Sequence, residues 1–236
     1  MRRIDSLHVV QIRLFRNDEI LLSDLRLENS IQTIQRLFSF KQVVPLQAPV
    51  AADPQGAIAF ISGEVADKDK AYEIDRLIIE SRRIVIGVAS SSDVANAVFA
   101  RLKASMIELD KREIKPAYSP LVMTEETTTV VNFDFPFTNL FDGEPFRNLS
   151  EGLSSISSKC GAKATIVPSS MHFRVSYDDL PEGLRKNNVN LVDKDIAIEL
   201  RVNTDIGERM YFISSPVSTD CHLELLSLIE KTFGKI

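Results

Sequence analysis

The chain has 236 residues, 44% of them hydrophobic and 26% charged, with a net charge of -5. That is enough apolar material for a sizeable core, in one large domain or two small ones. A negative net charge disfavours bulk attraction to nucleic acid or anionic lipid, and two cysteines, Cys160 and Cys221, make neither a disulfide framework nor a metal site.

The first predicted strand is His8–Phe15, where Val10, Ile12 and Leu14 alternate with Gln11 and Arg13, the pattern of a sheet with one buried face. A helix over residues 28–40 follows, with Ile31, Ile34, Leu37 and Phe38 on one side and Asn29 or Ser30 as its cap. Val43–Ala48 reads as a short strand whose Pro45 points to a sheet edge or a bend. Ala57–Ser62, Ala71–Ile79 and Arg83–Val88 read as strands, and a helix runs from Asp93 to about Asp110. Residues 111–126 combine charge, Pro116, Pro120 and a Thr-rich run and read as a linker.

The same order then recurs. Val130–Phe135 is a strand, and residues 145–159 a helix with Phe146, Leu149, Leu153 and Ile156 on one face. Ala162–Val167, Met171–Tyr177, Asp195–Val202 and Arg209–Ile213 are strands, and Asp220 opens a last helix to about Phe233. Ser91-Ser92-Asp93 and Ser218-Thr219-Asp220 open the two terminal helices at an offset of 127 residues. The same offset pairs Val94 with Cys221, Val98 with Leu225, Leu102 with Ile229 and Met106 with Phe233, one helix face in each. By that pairing Cys221 is a small core residue. The expectation is an α+β protein of two tandem β-α-β-β-β-β-α repeats, 1–110 and 127–236 joined by 111–126, forming a curved antiparallel sheet with helices on one face.

This element order resembles one half of the TATA-binding-protein fold, in which two such halves form a saddle-shaped antiparallel sheet. That family carries an amide side chain after a Val in the first strand of each half, where it reads the minor groove. Val10-Gln11-Ile12 and Val131-Asn132-Phe133 stand at the matching places. Alternation sets Gln11 and Asn132 opposite Ile12 and Phe133, on the helix-free side. The resemblance implies nucleic-acid contacts from Gln11, Asn132, Arg13, Arg174 and Arg201, with Arg82 and Arg83 at a hairpin end. The family's intercalating phenylalanines are not matched: Ile79 and Asn203 stand at the corresponding strand ends, and Gly56-Ala57 and Met171-His172 at the others.

No phosphate-binding glycine loop, nucleophile elbow or metal-ligand spacing occurs, so the chain reads as non-catalytic and free of cofactors. Acidic residues accompany the basic ones on the sheet strands, which favours a protein partner on the helix-free face and leaves nucleic acid as the alternative. Phe137 and Phe141, after the second unit's first strand, read as an exposed apolar contact. Residues 1–20 are too charged for a signal peptide, and no run of about 18 apolar residues exists. The expectation is a cytoplasmic protein with no membrane partner, whose free strand edges allow a homo-oligomer.

Overall fold

A computed structural model describes residues 2–17, 19–46, 56–67, 70–158, 168–176, 192–205 and 209–234. Among them are nine strands and five α-helices. The strands are β1 (Arg3–Leu14), β2 (Gln42–Leu46), β3 (Ala57–Asp67), β4 (Lys70–Ile79), β5 (Arg83–Val88), β6 (Val122–Asn132), β7 (Ser170–Val175), β8 (Lys194–Leu200) and β9 (Met210–Ser215). The helices are α1 (Leu22–Leu25), α2 (Glu28–Leu37), α3 (Ser92–Leu109), α4 (Glu144–Ser158) and α5 (Thr219–Phe233), with a 3-10 turn at Phe137–Phe141. The expected strand Ala162–Val167 and the loop 178–190 lie outside the described residues.

All strands pair antiparallel in one open sheet ordered β2-β3-β4-β5-β1-β6-β9-β8-β7. β2 is an edge strand, as Pro45 foretold. β6 starts at Val122, inside the stretch read as linker. The reason is its composition: Thr124 and Thr127–Thr129 are β-branched and suit a pleated surface, and they pair with Ile12, Val9, His8 and Leu7 of β1.

α3 and α5 lie on the same face of this sheet. Asn96 of α3 bonds to Gln11 and Arg13 on β1, and His222 of α5 bonds to Thr129 on β6. Two apolar clusters form beneath the helices. The larger gathers Val9, Phe15, Ile34, Phe38, Phe60, Leu77, Ile86, Val98 and Leu102. The smaller gathers Val131, Phe133, Phe135, Phe137, Ile198, Tyr211, Ile213, Leu226 and Ile229.

Two expectations fail here. Cys221 is exposed: α5 is turned so that its neighbour His222, with Leu226 and Ile229, is the buried side. Phe137 and Phe141 are 0% and 8% exposed, core residues and no contact patch. Pro136 ends the extended run and the chain closes into a 3-10 turn, which brings the Phe137 ring onto Tyr211 at 5.4 Å and onto Phe141 at 5.5 Å between centroids.

A third feature is a strap. Asp110, at the end of α3, accepts from Arg112 Nη2 at 2.7 Å and from the Tyr118 hydroxyl at 2.8 Å. Arg112 also donates to the Glu19 carbonyl at 2.9 Å, and Ser119 N–H to the Glu19 carboxylate at 2.9 Å. These bonds tie the passage from α3 to β6 back onto the first unit. The Arg112 bond holds the Asp110 carboxyl well below the usual carboxylate range, and burial pushes the Tyr118 phenol up to about 12.

Candidate functional site

The two faces of the sheet carry different chemistry. On the helix face, where β1 meets β6, the two apolar clusters are separated by buried polar residues. Gln11, Arg13, Glu125, Thr127, Thr129, Ser215, Ser92, Thr219 and His222 are all under 10% exposed. A buried polar group is costly unless it is hydrogen-bonded, and nearly all of these are.

The centre of this group is where the N-termini of α3 and α5 meet. Ser92 N–H donates to Thr219 Oγ1 at 2.9 Å, and Thr219 N–H donates to Ser92 Oγ at 2.9 Å. Each helix thus satisfies an orphan amide of the other, in place of the local caps that Ser91 and Ser218 would supply. The two residues are 127 apart, the offset read from the sequence. Two positive helix ends in contact repel. The Glu125 carboxylate beside them, 3.4 Å from Ser92 Oγ, offsets that repulsion.

Gln11 and Arg13 belong to this buried group, which corrects their assignment to the helix-free face. Gln11 Nε2 donates to the Glu125 carboxylate and to Asn96 Oδ1 at 3.1 Å. Arg13 Nη2 donates to Gln11 Oε1 at 2.8 Å and Asn96 Oδ1 at 2.5 Å, and its guanidinium carbon lies 4.0 Å from the centre of the Phe99 ring. Burial lowers the Arg13 pKa from its ordinary value, and Glu125 opposes that shift. β1 therefore turns its polar residues inward, because α3 and β6 supply partners, and its apolar residues Val10, Ile12 and Leu14 outward.

His222 completes the buried group. Its Nε2 lies 2.9 Å from Thr129 Oγ1 and its Nδ1 2.6 Å from Ser215 Oγ. Burial lowers its pKa to about 4. The sign follows: the folded protein holds His222 neutral, while the unfolded chain takes up a proton below about pH 6.5. Stability is thus full above that pH and falls as pH drops from about 6.5 to 4, by about 3 kcal/mol in total. Thermal midpoints measured from pH 7 to pH 4 should fall steeply in the native chain and less steeply in His222→Gln. Parallel slopes would remove His222 as the cause.

Among the described residues the opposite face carries no helix. Cross-strand register makes one continuous row on it, Val44–Ala59–Ile78–Val85–Ile12–Thr124, running through β2, β3, β4, β5, β1 and β6. Val10 and Leu14 flank the row. A β-bulge in β4 turns both Asp75 and Arg76 onto this face over Gly87, where a Cβ would meet Arg76 Cγ at 3.1 Å. His8 Nε2 lies 3.9 Å from the Asp75 carboxylate at the margin.

Beyond β6 the face becomes polar. Its rows there are Thr128–Ser214–Ala197–His172 and Val130–Phe212–Glu199–Ser170. Asn132, half-buried at the end of β6, sits opposite Met210, and Arg201, exposed past β8, meets Met210 from the other side. Arg174 is exposed on β7 and lies 3.9 Å from Asp195. His172 lies 3.2 Å from Glu199. Arg82 is exposed at the turn between β4 and β5, and Arg83 is engaged by Glu80 through two bonds of 2.9 and 2.6 Å. The structure therefore gathers Asn132 and Arg201, keeps Arg174, Arg82 and Arg83 apart, and buries Gln11 and Arg13.

Sequence reasoning missed the apolar row and the roles of Glu125, Asn96 and His222. Only the alternation of β1, taken with the opposite inside and outside, signalled the row. Among the described residues no group of three or more His, Cys, Asp or Glu side chains is placed to hold a metal ion, and no helix is long and apolar enough to cross a membrane. No family model matches the chain, and no curated protein is significantly similar to it.

Proposed function

We propose that this is a non-catalytic macromolecule-binding protein, an adaptor, regulator or assembly subunit, which receives a protein partner on the helix-free face of its sheet. The observation that carries this reading is the row Val44–Ala59–Ile78–Val85–Ile12, uncharged across five strands and covered by no helix among the described residues, in which Val44 is exposed, Ile12 and Ile78 are half-buried and Ala59 and Val85 are buried. A partner that is apolar against β2–β1 and polar against β6–β7 complements the face. Phosphate neutralisation needs a basic footprint. Here the exposed Arg174 is paired with Asp195, Arg83 with Glu80, and Gln11 and Arg13 are inside, so a nucleic-acid role of the saddle type has lost two of its expected contacts.

The same reading treats the chain as two related halves of TATA-binding-protein-like type. Support comes from the strand order, which reads β1-β5-β4-β3-β2 outward on one side and β6-β9-β8-β7 on the other, and from the reciprocal Ser92–Thr219 bonds. Val9 pairs with Val88 and with Thr127, and Thr127 pairs with Ser215. Val88 and Ser215 are separated by the helix offset, so Val9 and Thr127 correspond. By the same step Gln11 corresponds to Thr129, not to Asn132.

The test is capture of partners from native lysate by the tagged full chain and by Ile12→Glu, with and without nuclease. A protein retained after nuclease by the native chain, and lost from a folded Ile12→Glu, is the expected result. Retention that disappears on nuclease treatment, or that ignores Ile12→Glu, would count against the face.

A further inference from the structure

Two acidic side chains stand where the fold alone has no use for them. In the register of β3 and β4, Glu64 lies directly opposite Glu73. Their neighbours Val65 and Ile74 are buried in the larger apolar cluster, so both carboxylates point to the helix-free face, and both residues are exposed. Like charges directly opposite each other on two strands destabilise a sheet. The neighbouring carboxylates on that face are matched: Asp75 has Arg76 Nε at 3.8 Å and His8 Nε2 at 3.9 Å, and Glu126 has Lys194 Nζ at 3.9 Å. Among the described residues Glu64 and Glu73 have no cation at ion-pair distance. They border a cavity of about 290 Å³ whose lining sets them against Lys41 alone. Ile78, in the apolar row, lies further along β4, about 15 Å from Glu73. The face thus joins an apolar row to an unbalanced pair of carboxylates.

We infer that the partner received on this face is a basic amphipathic protein segment. Its apolar side chains cover Ile78, Val85 and Ile12, and an arginine enters between Glu64 and Glu73. The inference rests on the helix-free face being the docking surface and adds the chemistry of what docks there. A guanidinium presents its donors in a planar fork that two carboxylates can share. Its arrival also removes the repulsion between them, so a cost carried by the free chain is relieved on binding. An acidic or purely apolar partner leaves the pair unrelieved, and a bare cation leaves the apolar row uncovered.

The test is fluorescence anisotropy of the full chain with labelled synthetic helical peptides of about 14 residues, long enough to span the row and the pair. The first peptide carries leucines on one face of its first two turns and arginines in its last turn. The second has glutamates in place of the arginines, and the third has serines in place of the leucines. The first should bind, and the other two about tenfold more weakly or not at all. Glu64→Gln/Glu73→Gln should weaken the first peptide about fivefold and flatten the salt dependence of its binding. Glu108→Gln/Glu224→Gln, the same change of net charge at exposed positions on α3 and α5, should leave it unchanged. The free Glu64→Gln/Glu73→Gln chain should melt no lower than the native one, because it loses a repulsion. A lower midpoint would give the pair a structural role and overturn the inference. So would a first peptide that does not bind, equal weakening by the two double variants, or a third peptide that binds as tightly as the first. Ile12→Ser separates this inference from the reading beneath it. If Ile12→Ser weakens the first peptide and Glu64→Gln/Glu73→Gln does not, the face stands and the basic partner falls. If neither weakens it, the face falls as well.

Discussion

Glu125→Ala should lower stability by about 3–5 kcal/mol, the cost of leaving a buried charge unbalanced. For a chain of this size that is roughly a 10 °C fall in thermal midpoint. Three losses coincide. Gln11 loses one of the acceptors of its amide, the buried Arg13 loses the carboxylate that opposes its desolvation, and the paired N-termini of α3 and α5 lose the negative group beside them. Glu125→Gln keeps the shape and an acceptor oxygen and should cost less. The decisive measurement is a double-mutant cycle by chemical denaturation. Arg13→Met with Glu125→Leu should recover much of the loss, because an apolar replacement removes both desolvation costs together. A double variant as unstable as the sum of the singles would show that Arg13 and Glu125 do not act as a pair.

Tyr211→Ala should cost a similar 3–5 kcal/mol, by emptying the centre of the second apolar cluster. Tyr211 is fully buried, its ring is 5.0 Å from Phe133 and 5.4 Å from Phe137, and its hydroxyl donates to the Phe135 carbonyl at 2.8 Å. Tyr211→Phe keeps the ring and loses the bond, so about 1–2 kcal/mol is expected. Denaturant midpoints for the three chains give the ranking. Equal losses for Phe and Ala would place the stabilisation in the hydroxyl and not in the packing.

Much of the fold was legible. β5 was bounded correctly, and most other described elements fell within a few residues, because their periodicities are long and their turn residues unambiguous. The inside of β1 was not legible. An alternation of apolar and polar residues fixes that two faces differ, but not which one is covered. The usual rule assigns the apolar face inward. β1 reverses it, since Asn96 and Glu125, distant in sequence, satisfy Gln11 and Arg13. α5 shows the same limit. Its pattern allowed Cys221 or His222 to face the sheet, and the hydroxyls of Thr129 and Ser215 decided for His222. Phe137 and Phe141 looked exposed because they follow a strand, and a 3-10 turn after Pro136 was not foreseen. Asn132 stands on the helix-free side as expected, whereas Gln11 and Arg13 lie on its reverse.

The position of β1 bears on how the chain is made. It leaves the ribosome before the other described strands, yet it lies in the middle of the sheet, and its partner on one side, β6, begins only at Val122. Until β6 emerges, a nascent chain that has already formed β1–β5 presents β1 with one row of backbone groups unpaired, an open template for another nascent strand. The Ser92–Thr219 bonds arrive later still, with α5. Slowed translation before residue 122 should therefore raise aggregation, whereas a pause after β6 has emerged should be far less damaging.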